Sequence, residues 1–404
     1  MPEKMTGIGK TAAIICELNP LHKGHESLFQ RVKEHADKLV CILSGNFVQR
    51  GEPAILDKWS RCRLALEAGA DLVIELPLPW ACAGAERFAA GGVHLAAALG
   101  NVDYLAFGSE YPDTAQIQRI AEALLSEEFS AEFSAESSAS QNNGEPFARR
   151  REKALSALLG EEVLPLLRSP NAILGIEYQK ALLQEHADIT PLVFPRIGAG
   201  HDSPAVNGEF SSASELRELL REGKPLEGLV PDCTAALLRE QMELGRCPVE
   251  VSFLERAILC KLRTMELSDF AALPDVSEGL EHRLFSAAKQ AGSLEEFYTL
   301  VKSKRYSHAR IRRLTMAAFL GITEDLPSLP PYLRILGMTD AGAEYLQSVS
   351  PALPLAAKSG DFQKLGGDAL RLFRLEAVAD DLYALASPTP QPCGRDYTER
   401  LIKR

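Results

Sequence analysis

Ala12-Ala13-Ile14-Ile15-Cys16-Glu17-Leu18-Asn19-Pro20-Leu21-His22-Lys23-Gly24-His25 decides the fold. Residues 12–16 are small or apolar without a break, the pattern of a buried strand; Asn19-Pro20 ends it, and an amphipathic stretch from His22 to about His35 follows. The order is strand, tight turn, helix start. A glycine in the first helical turn lets a ligand approach the backbone, and the unpaired N–H groups there attract an anion. His22 and His25 flank that glycine and reach the same anion, as neutral donors or as cations once phosphate raises their pKa. A polyphosphate suits such a corner; two surface histidines in a loop are the plainer alternative.

Outward from this stretch, strand and helix alternate to about Leu125. Residues 12–16, 39–43, 72–76 and 104–107 are short apolar runs followed by turn signals, and residues 26–35, 58–68 and 85–99 between them carry helical spacing. This order predicts a parallel sheet covered on both faces, with ligand at the carboxyl ends of the strands. Residues 17–25, 44–53, 77–80 and 108–110, which follow the four strands, therefore meet at one crevice. Within 44–61, Gly45 and Gly51 permit unusual backbone angles, while Gln49, Arg50, Lys58 and Arg61 supply donors for phosphate or carboxylate. Arg50 or Lys58 binds a ligand directly, or Arg50 is tied to Glu52 or Glu75.

His22-x-Gly24-His25 after a first strand resembles the signature of the HxGH nucleotidyltransferase superfamily, in which the α-phosphate of a nucleotide is attacked and pyrophosphate released. The longer wording is more specific. Residues 17–25, Ser44-Gly45-Asn46-Phe47-Val48-Gln49-Arg50-Gly51-Glu52-Pro53, Asp71-Leu72-Val73-Ile74-Glu75-Leu76-Pro77, Phe107-Gly108-Ser109-Glu110, Ser169-Pro170-Asn171 and Pro195-Arg196-Ile197 look like the bacterial tRNA(Met) cytidine acetate ligase family, over nearly the whole chain.

The resemblance implies a Rossmann-like α/β domain that binds ATP, activates acetate as acetyl-AMP and passes the acetyl group to N4 of the wobble cytidine of elongator tRNA(Met). It implies that His22 and His25 stabilise the α-phosphate and the leaving oxygen. Nucleotide contacts are implied for Ile15, Cys16, Glu17, Leu18, Asn19, Pro20, Leu21, Lys23, Gly24, Glu26, Ser27 and Leu28. Gly108, Asn171, Arg196 and Ile197 would surround the adenosine. The superfamily's second signature, Ser-Ser-Thr-x-Ile-Arg, is resembled by Ser212-Ala213-Ser214-Glu215-Leu216-Arg217 with three departures, so that Ser214 and Arg217 would hold the pyrophosphate. Mg2+ would accompany ATP without a dedicated all-protein cage.

The residues themselves keep simpler readings open. Ser169 or Asn171 suits a helix cap, and Ser212-x-x-Glu215 has capping-box spacing. Residues 190–195 read as a further strand, with the glycine-rich 196–202 after it. Residues 126–145 repeat Glu-Phe-Ser-Ala and carry no base, which reads as a mobile surface excursion. Arg149-Arg150-Arg151 reads as a solvated helix face or an RNA contact.

Alternation stops after Pro231. Residues 233–244, 251–265, 280–290 and 294–301 show helical spacing, and the expectation is a catalytic domain over 1–230 and an all-helical domain over 231–404, with 249 to about 387 as its appended helical body. Lys302, Lys304, Arg305, Arg310, Arg312 and Arg313 place six positive charges in twelve residues with no acid, and Tyr306 and His308 lie between them. In a chain of net charge −11 this is a local footprint for RNA phosphates, with rings to stack on bases; Arg400, Lys403 and Arg404 extend it.

Composition bounds the rest. A chain of 404 residues that is 46% apolar buries a large core, and its acidic balance argues against a wholly basic nucleic-acid surface. No run reaches the ~18 apolar residues of a membrane helix, and residues 1–10 lack an apolar signal core, which together predict a cytoplasmic protein. The eight cysteines form no Cys-x-x-Cys pair and read as reduced core residues; no metal ligand set is evident. Two other functions fit the motifs: an adenylyltransferase for a small metabolite, which needs no RNA, and an RNA-binding protein without catalysis.

Overall fold

The computed structural model describes residues 9–140, 145–196, 211–277 and 279–404. Its strands are β1 (Thr11–Cys16), β2 (Lys38–Ser44), β3 (Phe47–Val48), β4 (Glu52–Pro53), β5 (Leu72–Leu76), β6 (Tyr104–Ser109), β7 (Thr190–Pro195), β8 (Leu333–Met338), β9 (Leu355–Ala356) and β10 (Ile402–Lys403). One sheet runs β10-β8-β5-β2-β1-β6-β7, with β9 beside β8; β3 and β4 form a separate hairpin. From β5 through β7 every pairing is parallel.

β1 shows why the apolar run makes a central strand. All six of its residues are buried. Ala13 and Ile15 pack with Trp80, Phe88 and Val93 on one face, and Ala12, Ile14 and Cys16 pack with Phe29 and Trp59 on the other. A strand covered on both faces needs no polar side. The chain steps from β1 through β2 to β5, then crosses to β6 on the other side of β1. That reversal opens a crevice at the carboxyl ends of β1 and β6.

The Rossmann-like α/β architecture is as the sequence pattern predicts, but the stretch 231–404 is not all helix. β8, β9 and β10 lie within it, and β8 pairs antiparallel with β5. Arg334 interrupts the apolar run of β8 and disguises it. The fold accepts this charge because Glu75 and Asp396 each lie 3.0 Å from its guanidinium. The helix Asp232–Glu243 also packs under the sheet through Leu237 and Leu238. A separate helical cluster takes in Val249 to Leu326 and is joined by Phe47, Leu78 and Tyr383.

Residues 127–140 form a helix, Glu127–Ser140, in place of the expected mobile excursion; 141–144 lie outside the described residues. The four-residue repeat that suggested low complexity sets Phe129 and Phe133 one helical turn apart, their ring centroids 5.7 Å apart, and Phe133 meets Phe147 at 5.2 Å. Cys260 and Cys393 are exposed and Cys233 is half-buried, against the expectation of core positions; the other five cysteines are buried. Among the described residues no helix is long and apolar enough to cross a membrane.

Candidate active site

The turn after β1 is fixed from several sides. The Glu17 carboxylate accepts from the Gln49 N–H at 2.8 Å and its carbonyl accepts from Arg61 at 2.7 Å. The Asn19 side-chain oxygen accepts from the Ile55 N–H at 2.9 Å, and its carbonyl accepts from Arg217 at 2.8 Å. Leu18 has φ +49°, a left-handed conformation unusual for a branched side chain, and it is fully buried with Leu21. The Asn19–Pro20 peptide is cis. The four hydrogen bonds of Glu17 and Asn19 hold the loop as a platform for the helix that starts after His22.

His22 caps the helix Lys23–Lys33. Its Nδ1 accepts from the Gly24 N–H at 3.1 Å, while the His25 Nδ1 accepts from the His22 N–H at 3.3 Å. The rings stack with centroids 3.8 Å apart. With both Nδ1 atoms accepting, the hydrogen-bond pattern assigns the proton of each ring to Nε2. Burial, reinforced by the Arg196 charge, lowers the His22 pKa to about 4. Burial and the neighbouring His22 hold His25 well below its ordinary value. The site thus offers two neutral N–H donors beside a helix N-terminus. Gly24 lets the His22 ring lie close over the first turn, since a Cβ there would lie 2.9 Å from its Cε1.

Ile15 and Cys16 end β1, and Lys23, Glu26, Ser27 and Leu28 are half-buried on the first turns of this helix. Across the crevice, Glu110 after β6 takes the capping role expected of Ser169 or Asn171. Its carboxylate accepts from the Asn171 side chain and from the Ala172 N–H at 3.1 Å, at the start of the helix Pro170–Gln184. Ser169 instead donates to the Pro165 carbonyl at 2.9 Å. An acid after a strand, facing a helix start with no side-chain cap of its own, is the signal that sequence reading missed. A Cβ on Gly108 would lie 3.2 Å from Cγ of Arg196, which is itself exposed. Ile197 and the glycine-rich stretch after it lie outside the described residues.

The second signature reaches the first. Ser212 caps the helix Ala213–Arg221 by accepting from the Glu215 N–H at 3.2 Å, as capping-box spacing predicts. Arg217 donates to Ser214 at 3.2 Å and to the Asn19 carbonyl, and lies 3.7 Å from Glu52. Lys58 and Arg61 do not serve the crevice. Lys58 is buried between Glu75 at 2.9 Å and Asp396 at 2.7 Å, and Arg61 donates to the carbonyls of Leu56, Glu17, Ser44 and Gly45.

A sequence profile described as HIGH Nucleotidyl Transferase matches residues 9–397. The tRNA(Met) cytidine acetate ligase of Acetivibrio thermocellus is 36% identical over 414 residues, covering 97% of this chain and 99% of that protein. The ligase of that name from a Thermoanaerobacter species is 38% identical, covering 96% and 98%. This chain belongs to the tRNA(Met) cytidine acetate ligase family of HIGH nucleotidyl transferases. Two crystal structures of Thermotoga maritima TmcAL, 31% identical, superpose over 98% of this chain and 100% of theirs. The apo form gives a TM-score of 0.90 and the form bound with alpha-thio ATP 0.89.

The basic stretch is less uniform than its sequence. Lys302, Lys304, Arg305 and Arg312 are exposed, as is His308, whereas Arg310 and Arg313 are half-buried. Tyr306 is 5% exposed and lies under the Arg310 guanidinium at 5.4 Å, so it is not a free stacking platform. The helix His308–Leu320 abuts the hairpin that holds Glu17: Gly51 has φ +73°, and a Cβ there would lie 2.6 Å from the Arg313 backbone nitrogen. The C-terminal Arg400, Lys403 and Arg404 are exposed. Lys403 pairs in β10, and Arg404 donates to the Leu66 carbonyl at 2.9 Å. Arg149 and Arg151 pair with Glu152 and Glu177, while Arg150 lies over the Phe133 ring.

Proposed function

We propose that this protein is an ATP-dependent acetate ligase that forms acetyl-AMP and transfers the acetyl group to N4 of the wobble cytidine of elongator tRNA(Met). The observation that carries the reading is the stacked His22–His25 pair, held as neutral Nε2–H donors at a helix N-terminus in the crevice of a chain that belongs to this ligase family.

Acetate and an amine do not condense in water because hydroxide leaves poorly. An acetate oxygen attacks the α-phosphorus in line, the bond to the bridging oxygen breaks, and pyrophosphate departs. The protein's part is positioning and charge stabilisation. His22 and His25 donate to the oxygens that gain charge, with the N–H groups behind Gly24 adding to them. Gly108, Asn171 and Arg196 line the adenosine, a role the family resemblance extends to Ile197, and Ser214 and Arg217 face the departing phosphates.

Mg2+ would accompany ATP and would supply charge neutralisation on its phosphates. The nearby carboxylates suit no further ligation: Glu17 accepts from Gln49, Glu110 caps a helix and Glu52 faces Arg217. In the second step the cytidine N4 attacks the acetyl carbonyl and AMP leaves. The anticodon base must be splayed from its stack to reach the crevice, with the basic helix gripping the RNA backbone. Lys302, Lys304, Arg305, Arg310, Arg312 and Arg313 are the residues of this reading, and its compartment is the cytoplasm.

The test is incubation with ATP, acetate and bulk bacterial tRNA, followed by nucleoside analysis. N4-acetylcytidine that appears only when ATP and acetate are both present is the expected result. Pyrophosphate release without modified RNA would replace this reading with a metabolite adenylyltransferase, and RNA binding without pyrophosphate release would replace it with a non-catalytic protein.

A further inference from the structure

The seam between the sheet and the helical cluster opens into a small cleft. On the sheet side it is lined by Cys82 and Arg87, which flank the start of the helix Ala85–Leu99. On the helical side it is lined by Asp275 and by Arg310 and Arg313 of the helix His308–Leu320. Three arginines thus line one space, the Arg87 guanidinium also lying 5.9 Å from the Trp80 ring centroid. None of the three forms an ion pair among the described residues.

Each is partly withdrawn from water. Arg87 and Arg313 have their pKa lowered by burial, and the charge of Arg310 adds to the effect on Arg313. Arg310 donates to the Asp275 carbonyl and to Ser277, but its Nε is buried without a partner. The carboxylates that oppose these charges, Asp275 and Glu324, act only at longer range. Three partly desolvated cations opposed by carboxylates that make no direct ion pair with them are costly, and a buried unpaired N–H adds to that cost. An anion with several oxygens satisfies all three at once.

The surroundings favour one end of a polyanion. Arg312, Lys302 and Lys304 are exposed beside the cleft on the same helix and the loop before it, in a chain whose net charge of −11 repels polyanions elsewhere. The sheet side of the cleft follows β5, which stands two strands from β1 in the sheet, ~10 Å by strand spacing.

We propose that Arg87, Arg310 and Arg313 form a niche that clamps one backbone phosphodiester of the RNA substrate across the seam, while the target base enters the His22–His25 crevice. Arg87 is the new member: it lies outside the basic stretch and comes from the other half of the molecule. The niche is complete only when the two halves are packed together. The proposal rests on the ligase reading. A free phosphate ion has the same chemistry, so the test separates the two sources.

Binding of labelled elongator tRNA(Met) transcript to the full-length protein is measured against salt concentration for wild type, R87M, R87K and R313M. Inorganic phosphate is then titrated against chloride at equal ionic strength. R87M and R313M should each weaken RNA binding roughly tenfold and lower the salt slope by about one, R87K should restore the slope, and phosphate should compete with RNA for wild type alone. Unchanged affinity and slope in R87M and R313M would overturn the niche. So would an R87K variant as defective as R87M, which would mark Arg87 as a packing residue. Phosphate stabilising wild type against heat while R87M binds RNA normally would assign the niche to the free ion. RNA binding that depends on Arg87 in a protein that forms no N4-acetylcytidine would sustain the niche and reject the ligase reading.

Discussion

Two polar clusters sit at the carboxyl edge of the same sheet, and they are built in opposite ways. Around the end of β5 and the start of β8, Lys58, Glu75, Arg334 and Asp396 are at most 3% exposed and pair with one another at 2.7 to 3.1 Å. After β1, His22 and His25 use only their Nδ1 atoms within the protein and keep Nε2–H free of any partner among the described residues. One cluster satisfies its charges internally and locks β8 and the C-terminal residues to the sheet. The other keeps neutral donors for a guest. Formal charge is thus a poor guide to function here, since Lys58 and Arg61 resemble ligands in sequence and serve the fold.

Single substitutions separate the two clusters outright. His25→Ala should lower ATP–pyrophosphate exchange by ~10²–10³-fold, the usual loss for one donor to a developing charge, with the urea midpoint little changed. Lys58→Met should do the reverse. It leaves Glu75 and Asp396 short of a buried partner and should lower unfolding free energy by ~3–5 kcal/mol in urea titration. A stable K58M protein with a specific defect in acetate use would move this cluster from fold to function.

Gly24→Ala probes the histidine cluster at smaller scale. Its new Cβ meets the His22 ring, and overpacking of this kind costs about 1–3 kcal/mol, to be read as a fall in exchange rate with ATP affinity measured beside it.

The smallest effects are in pH. His22 and His25 lie below their ordinary 6.5 when folded and regain it on unfolding, so their share of stability is lost as pH falls from about 6.5 toward 4. The internal cluster is bordered by groups of opposite sign. Burial and Glu75 push Glu376 up to about 8, and burial and Asp396 push Asp380 up to about 7. Their share is lost as pH rises from the ordinary carboxylate range through those values. Histidine NMR should show both active-site rings neutral with the proton on Nε2 at pH 5.5, and Glu376→Gln should flatten the alkaline limb of a stability–pH profile.

Local pattern made the first cluster legible and hid the second. The apolar run, the Asn-Pro break and His22-x-Gly24-His25 lie within fourteen residues, so strand, turn, helix and anion corner follow from short-range rules. Arg334 meets Asp396 and Glu75, far away in sequence, and without those partners the charge argues against a strand. Leu18 gave no warning of its left-handed backbone because glycine or asparagine is the usual marker. Phe129 and Phe133 were visible at helical spacing, yet the polar residues around them outweighed two rings. Glu110 was read within a motif, but its capping role depends on the packing of β6 against the helix Pro170–Gln184.

Attack of an acetate oxygen on the α-phosphorus at the His22–His25 crevice leaves a mark that can be read directly. The measurement supplies acetate labelled with 18O, ATP and tRNA, and takes the mass spectrum of the AMP formed in step with N4-acetylcytidine. One acetate oxygen in each AMP, with none in pyrophosphate or inorganic phosphate, is the expected result. Label in inorganic phosphate, or AMP without label, would rule out attack at the α-phosphorus.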